Sequence, residues 1–123
     1  MRLKASDSAI RVAKELILSG EVVAVPTETV YGLAADATSE SAIAKIYAAK
    51  GRPSFNPLIV HVGRDCGTCD RLISRSLVDG GRLSEAARHV SDSLMAQFWP
   101  GPLTIVLPRG SALPSKVAGG LST

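Results

Sequence analysis

The chain has 123 residues, a formal net charge of +3, 46% apolar residues and 20% charged residues. This composition suits one globular domain over residues 1–123 with a packed core. No apolar run approaches the roughly 20 residues that a membrane-spanning helix needs, and the N-terminus lacks the apolar stretch of a signal peptide. We therefore predict a cytoplasmic protein that makes no contact with membranes.

The first half of the chain predicts two helices separated by strands. Ser6 can cap a helix over residues 9–19, and Thr38 or Ser39 can cap a second helix over 40–49. Residues 22–25 are an apolar run without alternation, which indicates a strand buried on both faces, and 33–37 can form another strand. The first helix is expected to bury Ile10, Ala13, Leu16 and Ile17. The second is expected to bury Ala42, Ile43, Ile46 and Tyr47.

The second half continues this alternation around one irregular segment. Residues 58–62 and 103–107 read as strands, and Ser84 can cap a helix over 85–98. The segment 63–83 is the least regular part of the chain and can hold one short helix over 70–77. The fold class is therefore α/β, with a twisted, mixed, open sheet flanked by helices. The third long helix is expected to bury Ala87, Val90, Leu94 and Phe98.

Hydroxyl groups alternate along the segment that follows the first predicted strand. Pro26 ends that strand because it has no N–H for a β ladder. If the backbone stays extended, the hydroxyls of Thr27, Thr29 and Tyr31 point to one side. Gly32 then permits a turn. Polar segments at strand ends are where open α/β sheets bind ligands, and the alternative is a capped loop packed on the sheet.

Two cations lie at the end of the second predicted helix. Lys50 and Arg52 flank Gly51, a residue suited to a left-handed helix cap, and Pro53 blocks continuation of the helix. The pair can converge on a phosphate or carboxylate group. Basic residues are also favoured at helix C-termini by the dipole, so the residues alone leave the choice open.

Three long segments follow one another: PTETVYGL at 26–33, KGRP at 50–53 with NPLIVHV at 56–62, and FWPGPLT at 98–104. In sequence and order they resemble the signature blocks of the YrdC/Sua5 family, whose members are threonylcarbamoyl-AMP synthases. The resemblance implies a nucleotidyltransferase that joins L-threonine, bicarbonate and ATP, with Mg²⁺ on the phosphates. It also implies that the product serves tRNA modification. Family domains continue past residue 123, so the last strands are expected to be missing and synthase activity to be weak or absent. The segment 63–83 is longer than its counterpart in the family, so the resemblance also implies a surface insertion there.

The resemblance also implies roles for individual residues. The catalytic and phosphate-binding pair is Lys50 and Arg52. The L-threonine pocket is implied to contain Thr27, Thr29, Tyr31 and His61. Further nucleotide contacts are implied for Asn56 and Thr123. From the residues alone, Asn56 would be read as an Asx turn and His61 as a buried core histidine.

Cys66 and Cys69 form a single C-x-x-C motif. This motif occurs in redox proteins, and the two sulfurs could also join His61 or His89 around zinc. Structural zinc needs four ligands, however, and the sequence has no second C-x-x-C motif. We therefore predict no metal site and interpret the pair as two thiols in a surface loop.

Two other classes of function stay open from the sequence. One is a module that binds tRNA or double-stranded RNA without catalysis, alone or with tRNA-modification proteins. The other is a carbamoyl-transfer domain like those of hydrogenase maturation proteins, against which the lack of accessory domains counts. The sequence contains neither a P-loop nor a dinucleotide-binding glycine motif.

Overall fold

A computed structural model of the chain describes residues 2–123. It divides into two compact units, Met1–Ser54 and Phe55–Thr123, which are described separately below. Both helices and strands occur, which confirms the α/β class. The single domain over 1–123, with an insertion at 63–83, stays a prediction. Within the described residues, none of the helices combines the length and apolar character needed to cross a bilayer.

The first unit contains two helices and a small sheet. Helix α1 spans Asp7–Leu18, strand β1 spans Val23–Val25, strand β2 spans Gly32–Ala34 and helix α2 spans Glu40–Lys50. The strands pair antiparallel, with Val25 opposite Gly32. Only one face of β1 is half-buried and Ala24 is exposed, so burial on both faces was wrong.

Side-chain caps begin both helices of the first unit. The Ser6 hydroxyl accepts the Ala9 N–H at the start of α1, and the Ser39 hydroxyl accepts the Ala42 N–H at the start of α2. Both caps satisfy backbone donors that have no partner within the helix. The expected face of α1 is only half-buried, and Ile10 is 66% exposed, which corrects its assignment to the core. The buried face of α2 is confirmed by Ala42, Ile43, Ile46 and Tyr47.

The second unit is built around two helices and three short 3-10 turns. Helix α3 spans Cys69–Ser74 and helix α4 spans Glu85–Phe98, with 3-10 turns at Arg64–Cys66, Gly80–Arg82 and Ser115–Ala118. The predicted bounds of α4 and its Ser84 cap are confirmed. Its predicted inner face was wrong in part: Ala87 and Leu94 are half-buried, but Val90 and Phe98 are exposed, and the buried residues are Ser91 and Met95.

One buried cluster of the second unit comes largely from the segment that was expected to lie on the surface. Its buried members are Cys66, Cys69, Leu72, Val78 and Met95. Four of these five residues belong to the segment 63–83, which therefore contributes its apolar side chains to the core. Half-buried neighbours packed against them include Val62, Trp99, Ile105 and Leu107.

The two strands predicted in the second unit are not formed within the described residues. In both 58–62 and 103–107, half-buried and exposed residues alternate, as along a strand with one covered face. A strand also needs a neighbouring ladder. The Leu58 N–H instead donates to the Val117 carbonyl of the last 3-10 turn, at 2.8 Å. The sheet is therefore a two-stranded antiparallel pair rather than the larger mixed sheet that was expected.

Candidate functional site

The hydroxyl-rich segment is a six-residue loop that connects β1 to β2. Every residue from Pro26 to Tyr31 is exposed, including Tyr31 at 74%. The backbone bends over 28–30, so the extended geometry that would align three hydroxyls is not present. Gly32 does not make the turn; it is the first residue of β2 and pairs with Val25. In its hydrogen bonding the loop therefore matches the alternative interpretation, a capped loop. It differs from that interpretation because it is exposed and does not pack on the sheet.

The Thr27 hydroxyl organises this loop. Its Oγ1 accepts the N–H groups of Thr29 and Val30, both at 3.2 Å, and donates to the Val30 carbonyl at 2.5 Å. The Thr29 Oγ1 lies 3.4 Å from the Thr27 Oγ1. A side chain that bonds the backbone two and three residues ahead is the ordinary way in which Thr closes a tight turn.

The basic pair lies at the end of α2, as the sequence predicted. Gly51 is in the left-handed conformation, with φ 56° and ψ 29°. Its N–H donates to the Ala48 carbonyl at 3.3 Å, and the Arg52 N–H donates to the Tyr47 carbonyl at 3.0 Å. These two bonds form a Schellman motif, which fixes the direction in which the chain leaves the helix. Lys50 and Arg52 both lie on the exposed surface of the first unit.

The remaining predicted site residues belong to the second unit. Asn56 is half-buried, whereas His61 and Thr123 are exposed. The exposure of His61 corrects the alternative of a buried core histidine. The structure thus brings Thr27 and Thr29 together in one loop of the first unit. The ligand contacts inferred for Asn56, His61 and Thr123 stay predictions.

The two cysteines are buried, which corrects their assignment to a surface loop. Both are free thiols; Cys66 is 3% exposed and Cys69 is 0% exposed. Burial, followed by the hydrogen bond and the negative charge of Asp92, raises the pKa of the Cys69 thiol from 9.0 to about 11. This thiol is therefore protonated at neutral pH and is a poor nucleophile.

Asp92 is a residue that the sequence analysis did not single out. Its carboxylate accepts the Cys69 N–H at 2.7 Å and so satisfies a backbone donor at the start of α3. The signal available in the sequence was its spacing of four from Arg88 and three from Met95, which places the three on one side of α4. Arg88 in turn bonds Asp70 of α3 at 2.6 Å. The α3–α4 contact therefore combines apolar packing with two polar links.

Comparison with known proteins gives one consistent family. The family model Sua5_yciO_yrdC, described as "Telomere recombination", matches residues 15–123. The threonylcarbamoyl-AMP synthase of Pyrococcus abyssi is 40% identical over 123 residues, which is 100% of this chain and 33% of that protein. The threonylcarbamoyl-AMP synthase of Bacillus subtilis is 46% identical over 122 residues, which is 98% of this chain and 32% of that protein.

Solved structures agree with this result. The crystal structure of P. abyssi Sua5 complexed with L-threonine has a TM-score of 0.77 and 41% identity, over 99% of this chain and 32% of that chain. A doubly substituted form of P. abyssi Sua5 has the same TM-score over 98% of this chain. The chain spans about a third of the length of the curated relatives it matches. By sequence and by fold, it belongs to the Sua5/YciO/YrdC family.

Proposed function

We propose that the chain takes part in forming threonylcarbamoyl-AMP from L-threonine, bicarbonate and ATP, as a nucleotidyltransferase of the L-threonylcarbamoyladenylate synthase type. The observation that carries the proposal is the similarity to P. abyssi Sua5, at 41% identity and a TM-score of 0.77, in a structure that contains L-threonine. Relatives from bacteria, archaea and eukaryotes carry the name threonylcarbamoyl-AMP synthase, which does not favour a purely RNA-binding role.

The proposed reaction has two steps. The amine of L-threonine adds to the carbon of bicarbonate, water leaves, and a carbamate forms. A carbamate oxygen then attacks the α-phosphorus of ATP, the bond to the β-phosphate oxygen breaks, and pyrophosphate leaves. Both partners of the second step are anions, so catalysis consists mainly of holding them together and offsetting their repulsion.

Lys50 and Arg52 are suited to that task in the proposed mechanism. They flank the left-handed Gly51, whose Schellman bonds hold the backbone between them. The planar guanidinium of an arginine can bind two phosphate oxygens at once, and the ammonium of a lysine adds a point charge. We assign the pair to the phosphates of ATP and to bicarbonate.

The remaining assignments follow the family resemblance. Contacts to L-threonine are proposed for Thr27, Thr29 and Tyr31 of the exposed loop, and separately for His61 of the second unit. Asn56 and Thr123 are proposed to contact the nucleotide. Tyr31 and His61 are exposed and thus accessible to a small ligand in their respective units.

Mg²⁺ is proposed to accompany ATP rather than to occupy a protein cage. In the part of the chain that the structure describes, no group of three His, Cys, Asp or Glu side chains could hold a metal ion. Phosphate oxygens are good ligands for Mg²⁺, and the ion would offset part of their negative charge. The product would serve the modification of tRNA together with other tRNA-modification proteins, and this role would place the chain in the cytoplasm.

Titration calorimetry with ATP and with L-threonine tests the proposal directly. We expect both ligands to bind the wild type and Arg52→Ala to weaken ATP binding about tenfold, as loss of a charged contact to phosphate would. Arg11→Ala removes another exposed arginine of the first unit, on α1, and is expected to leave ATP binding unchanged. Absence of heat for both ligands with a folded wild type would overturn the proposal.

Release of pyrophosphate measures the reaction itself. Any turnover should require all three substrates and should fall in Arg52→Ala. Pyrophosphate release that persists without L-threonine would indicate simple ATP hydrolysis and contradict the assigned reaction.

A further inference from the structure

Three backbone segments of the second unit are joined by hydrogen bonds next to Ser122. The Asp79 N–H donates to the Pro108 carbonyl at 2.9 Å, and the Arg109 N–H donates to the Ser122 carbonyl, also at 2.9 Å. Val78 and Arg109 form an antiparallel bridge, which holds the first two segments in register. The backbone at Ser122 is therefore linked through residues 108–109 to the segment 63–83.

The side chain of Arg82 makes a second link between the segment 63–83 and Ser122. Arg82 is the last residue of the 3-10 turn Gly80–Arg82, and its backbone N–H donates to the Asp79 carbonyl at 3.2 Å. Its Nη1 donates to the Ser122 carbonyl at 3.3 Å, and its Nη2 donates to the Ser122 Oγ at 3.2 Å. Because the guanidinium is planar and rigid, two bonds to one residue fix an orientation as well as a distance.

These bonds use both lone pairs of the Ser122 carbonyl oxygen. One lone pair accepts the Arg109 N–H and the other accepts the Arg82 guanidinium. The Arg109 side chain also contacts the preceding residue, since its Nε donates to the Leu121 carbonyl at 3.4 Å. Leu121 and Ser122 are exposed, so hydrogen bonds rather than burial determine the course of the backbone here.

Thr123, which is a proposed contact of the nucleotide, follows Ser122 directly. The peptide bond between the two residues is planar, and the Ser122 carbonyl and the Thr123 N–H lie in the same plane. Bonds that orient this carbonyl therefore orient the backbone of Thr123 as well. They also restrict where the Thr123 side chain can lie.

We infer that Arg82 is a positioning residue for the nucleotide, and that it holds Ser122 so that Thr123 meets ATP without touching ATP itself. This inference rests on the proposed function, in which Thr123 contacts the nucleotide. The effect should be specific to ATP. In the part of the chain that the structure describes, neither Arg82 nor Ser122 bonds to a residue assigned to L-threonine.

Four single variants separate this role from others. Arg82→Ala removes both side-chain bonds to Ser122, whereas Arg82→Lys keeps the charge but cannot reproduce the two-pronged contact. Ser122→Ala removes the Oγ acceptor and leaves the carbonyl in place. Arg71→Ala is the matched control, because it removes another exposed arginine of the segment 63–83, on α3.

Nitrogen-15 relaxation, measured by NMR on the chain without ligand, tests the link between Arg82 and Ser122. We expect the Ser122 backbone amide to have an order parameter of about 0.85 in the wild type and about 0.6 in Arg82→Ala. Ser122→Ala and Arg82→Lys should lie between these values, and Arg71→Ala should match the wild type. An unchanged order parameter in Arg82→Ala would overturn the positioning role, whether or not any nucleotide binds.

Calorimetry with ATP on the same proteins tests the connection to the ligand. We expect Arg82→Ala to weaken ATP binding about fivefold and Ser122→Ala about twofold, as loss of two surface hydrogen bonds or one would. Arg82→Lys should also weaken it, although the charge is kept. The double variant Arg82→Ala/Ser122→Ala should bind ATP as Arg82→Ala does, because both changes break the same link. Arg71→Ala should leave ATP binding unchanged, and L-threonine binding should stay at the wild-type level in every variant.

Several results would overturn the inference. Additive losses in the double variant, or wild-type ATP binding in Arg82→Lys, would mean that Arg82 acts on ATP directly through its charge. Equal weakening of ATP and L-threonine binding would indicate a general loss of structure. If Arg82→Ala left ATP binding intact while Arg52→Ala weakened it, the inference would fail and the proposed function would stand. If the folded wild type bound no ATP, the proposed function would fail and the inference with it.

Discussion

Two irregular segments of this chain are held in place by opposite means. The loop from Pro26 to Tyr31 is exposed along its whole length and is fastened by the hydroxyl of one side chain, Thr27. The segment 63–83 is fastened by burial, since Cys66, Cys69 and Leu72 enter the core of the second unit. Polar bonds near water contribute little net stability but set geometry, whereas buried apolar side chains contribute most of the stability.

The difference separates shape from stability. A loop held by its own hydrogen bonds can change its ligand contacts without unfolding the unit that carries it. Substitutions at the buried positions of a segment held by burial instead lower the stability of the unit that contains it. Substitutions in the exposed loop should therefore affect ligand binding more than stability, and substitutions at the buried positions of 63–83 should lower stability. Failure of either expectation would weaken the contrast between the two segments.

The largest effect is expected from Leu72→Ala. Leu72 is 4% exposed and packs in the buried cluster of the second unit, so its truncation removes apolar contacts and leaves a cavity. We expect a loss of about 2–5 kcal/mol in the free energy of unfolding. The half-buried Trp99 packs against the same cluster and reports urea unfolding by fluorescence. Ile59→Ala, at a position 64% exposed, should change stability by less than about 0.5 kcal/mol. Equal losses in the two variants would contradict a core in this segment.

The second effect is a loss of stability at alkaline pH through Cys69. Its pKa is raised from 9.0 to about 11 in the folded state, chiefly by burial, so the unfolded chain loses this proton at a lower pH. The stabilising contribution is complete below about pH 9 and is lost as the pH rises towards 11. Its full size is about 2–3 kcal/mol, since each pKa unit corresponds to about 1.4 kcal/mol.

Urea unfolding followed by Trp99 fluorescence between pH 8 and pH 10.5 measures this effect. The free energy of unfolding should fall less steeply with rising pH in Cys69→Ala than in the wild type. At pH 8, however, the free energy of unfolding of Cys69→Ala should be lower than that of the wild type. Cys66→Ala is the matched control and should keep the wild-type slope, because Cys69 is still present. An identical slope in all three proteins would show that the Cys69 thiol is not buried in solution.

Third in size is the effect of removing the carboxylate that anchors α3. Asp92→Ala leaves the Cys69 N–H without its acceptor at 2.7 Å, in a part-buried position. An unsatisfied donor of this kind costs about 1–3 kcal/mol. Asp92→Asn keeps an acceptor oxygen and should cost clearly less, with both variants measured by urea unfolding. If Asn and Ala were equally destabilising, the hydrogen bond to Cys69 would not be the source of the effect.

Helices α2 and α4 show how far the sequence could predict the fold. In α2 the large apolar residues Ile43, Ile46 and Tyr47 lie on one side of the helix at spacings of three and four, so the buried face followed from spacing alone. In α4 the large apolar residues Val90, Leu94, Met95 and Phe98 spread over a wider arc, and spacing alone does not say which part of that arc is buried. The face that is buried contains Ser91 and Met95, because it meets α3 and the buried cysteines. That choice depends on a partner element, which local spacing does not encode.

The candidate site likewise has one part that the sequence could predict and another that it could not. The exit of the chain from α2 between Lys50 and Arg52 could be predicted, because a glycine after a helix has few alternatives to a left-handed cap. The shape of the loop could not, because the pattern of hydroxyls is the same whether the backbone is extended or bent. Which of these forms is adopted depends on whether the Thr27 hydroxyl bonds its own backbone, and the sequence alone does not show this.

The smallest effect on stability is expected from Thr27→Val. Its three hydrogen bonds lie at the surface, where water can replace the lost partners, so we expect a loss of only about 0.5–1 kcal/mol. Thermal unfolding followed by far-ultraviolet circular dichroism measures it, and Thr27→Ser should be closer to the wild type. A loss as large as that of Leu72→Ala would mean that the loop is part of a core. The same variant is expected to weaken binding of L-threonine about tenfold, so a near-normal fold with impaired binding is the signature that separates this loop from the buried segment.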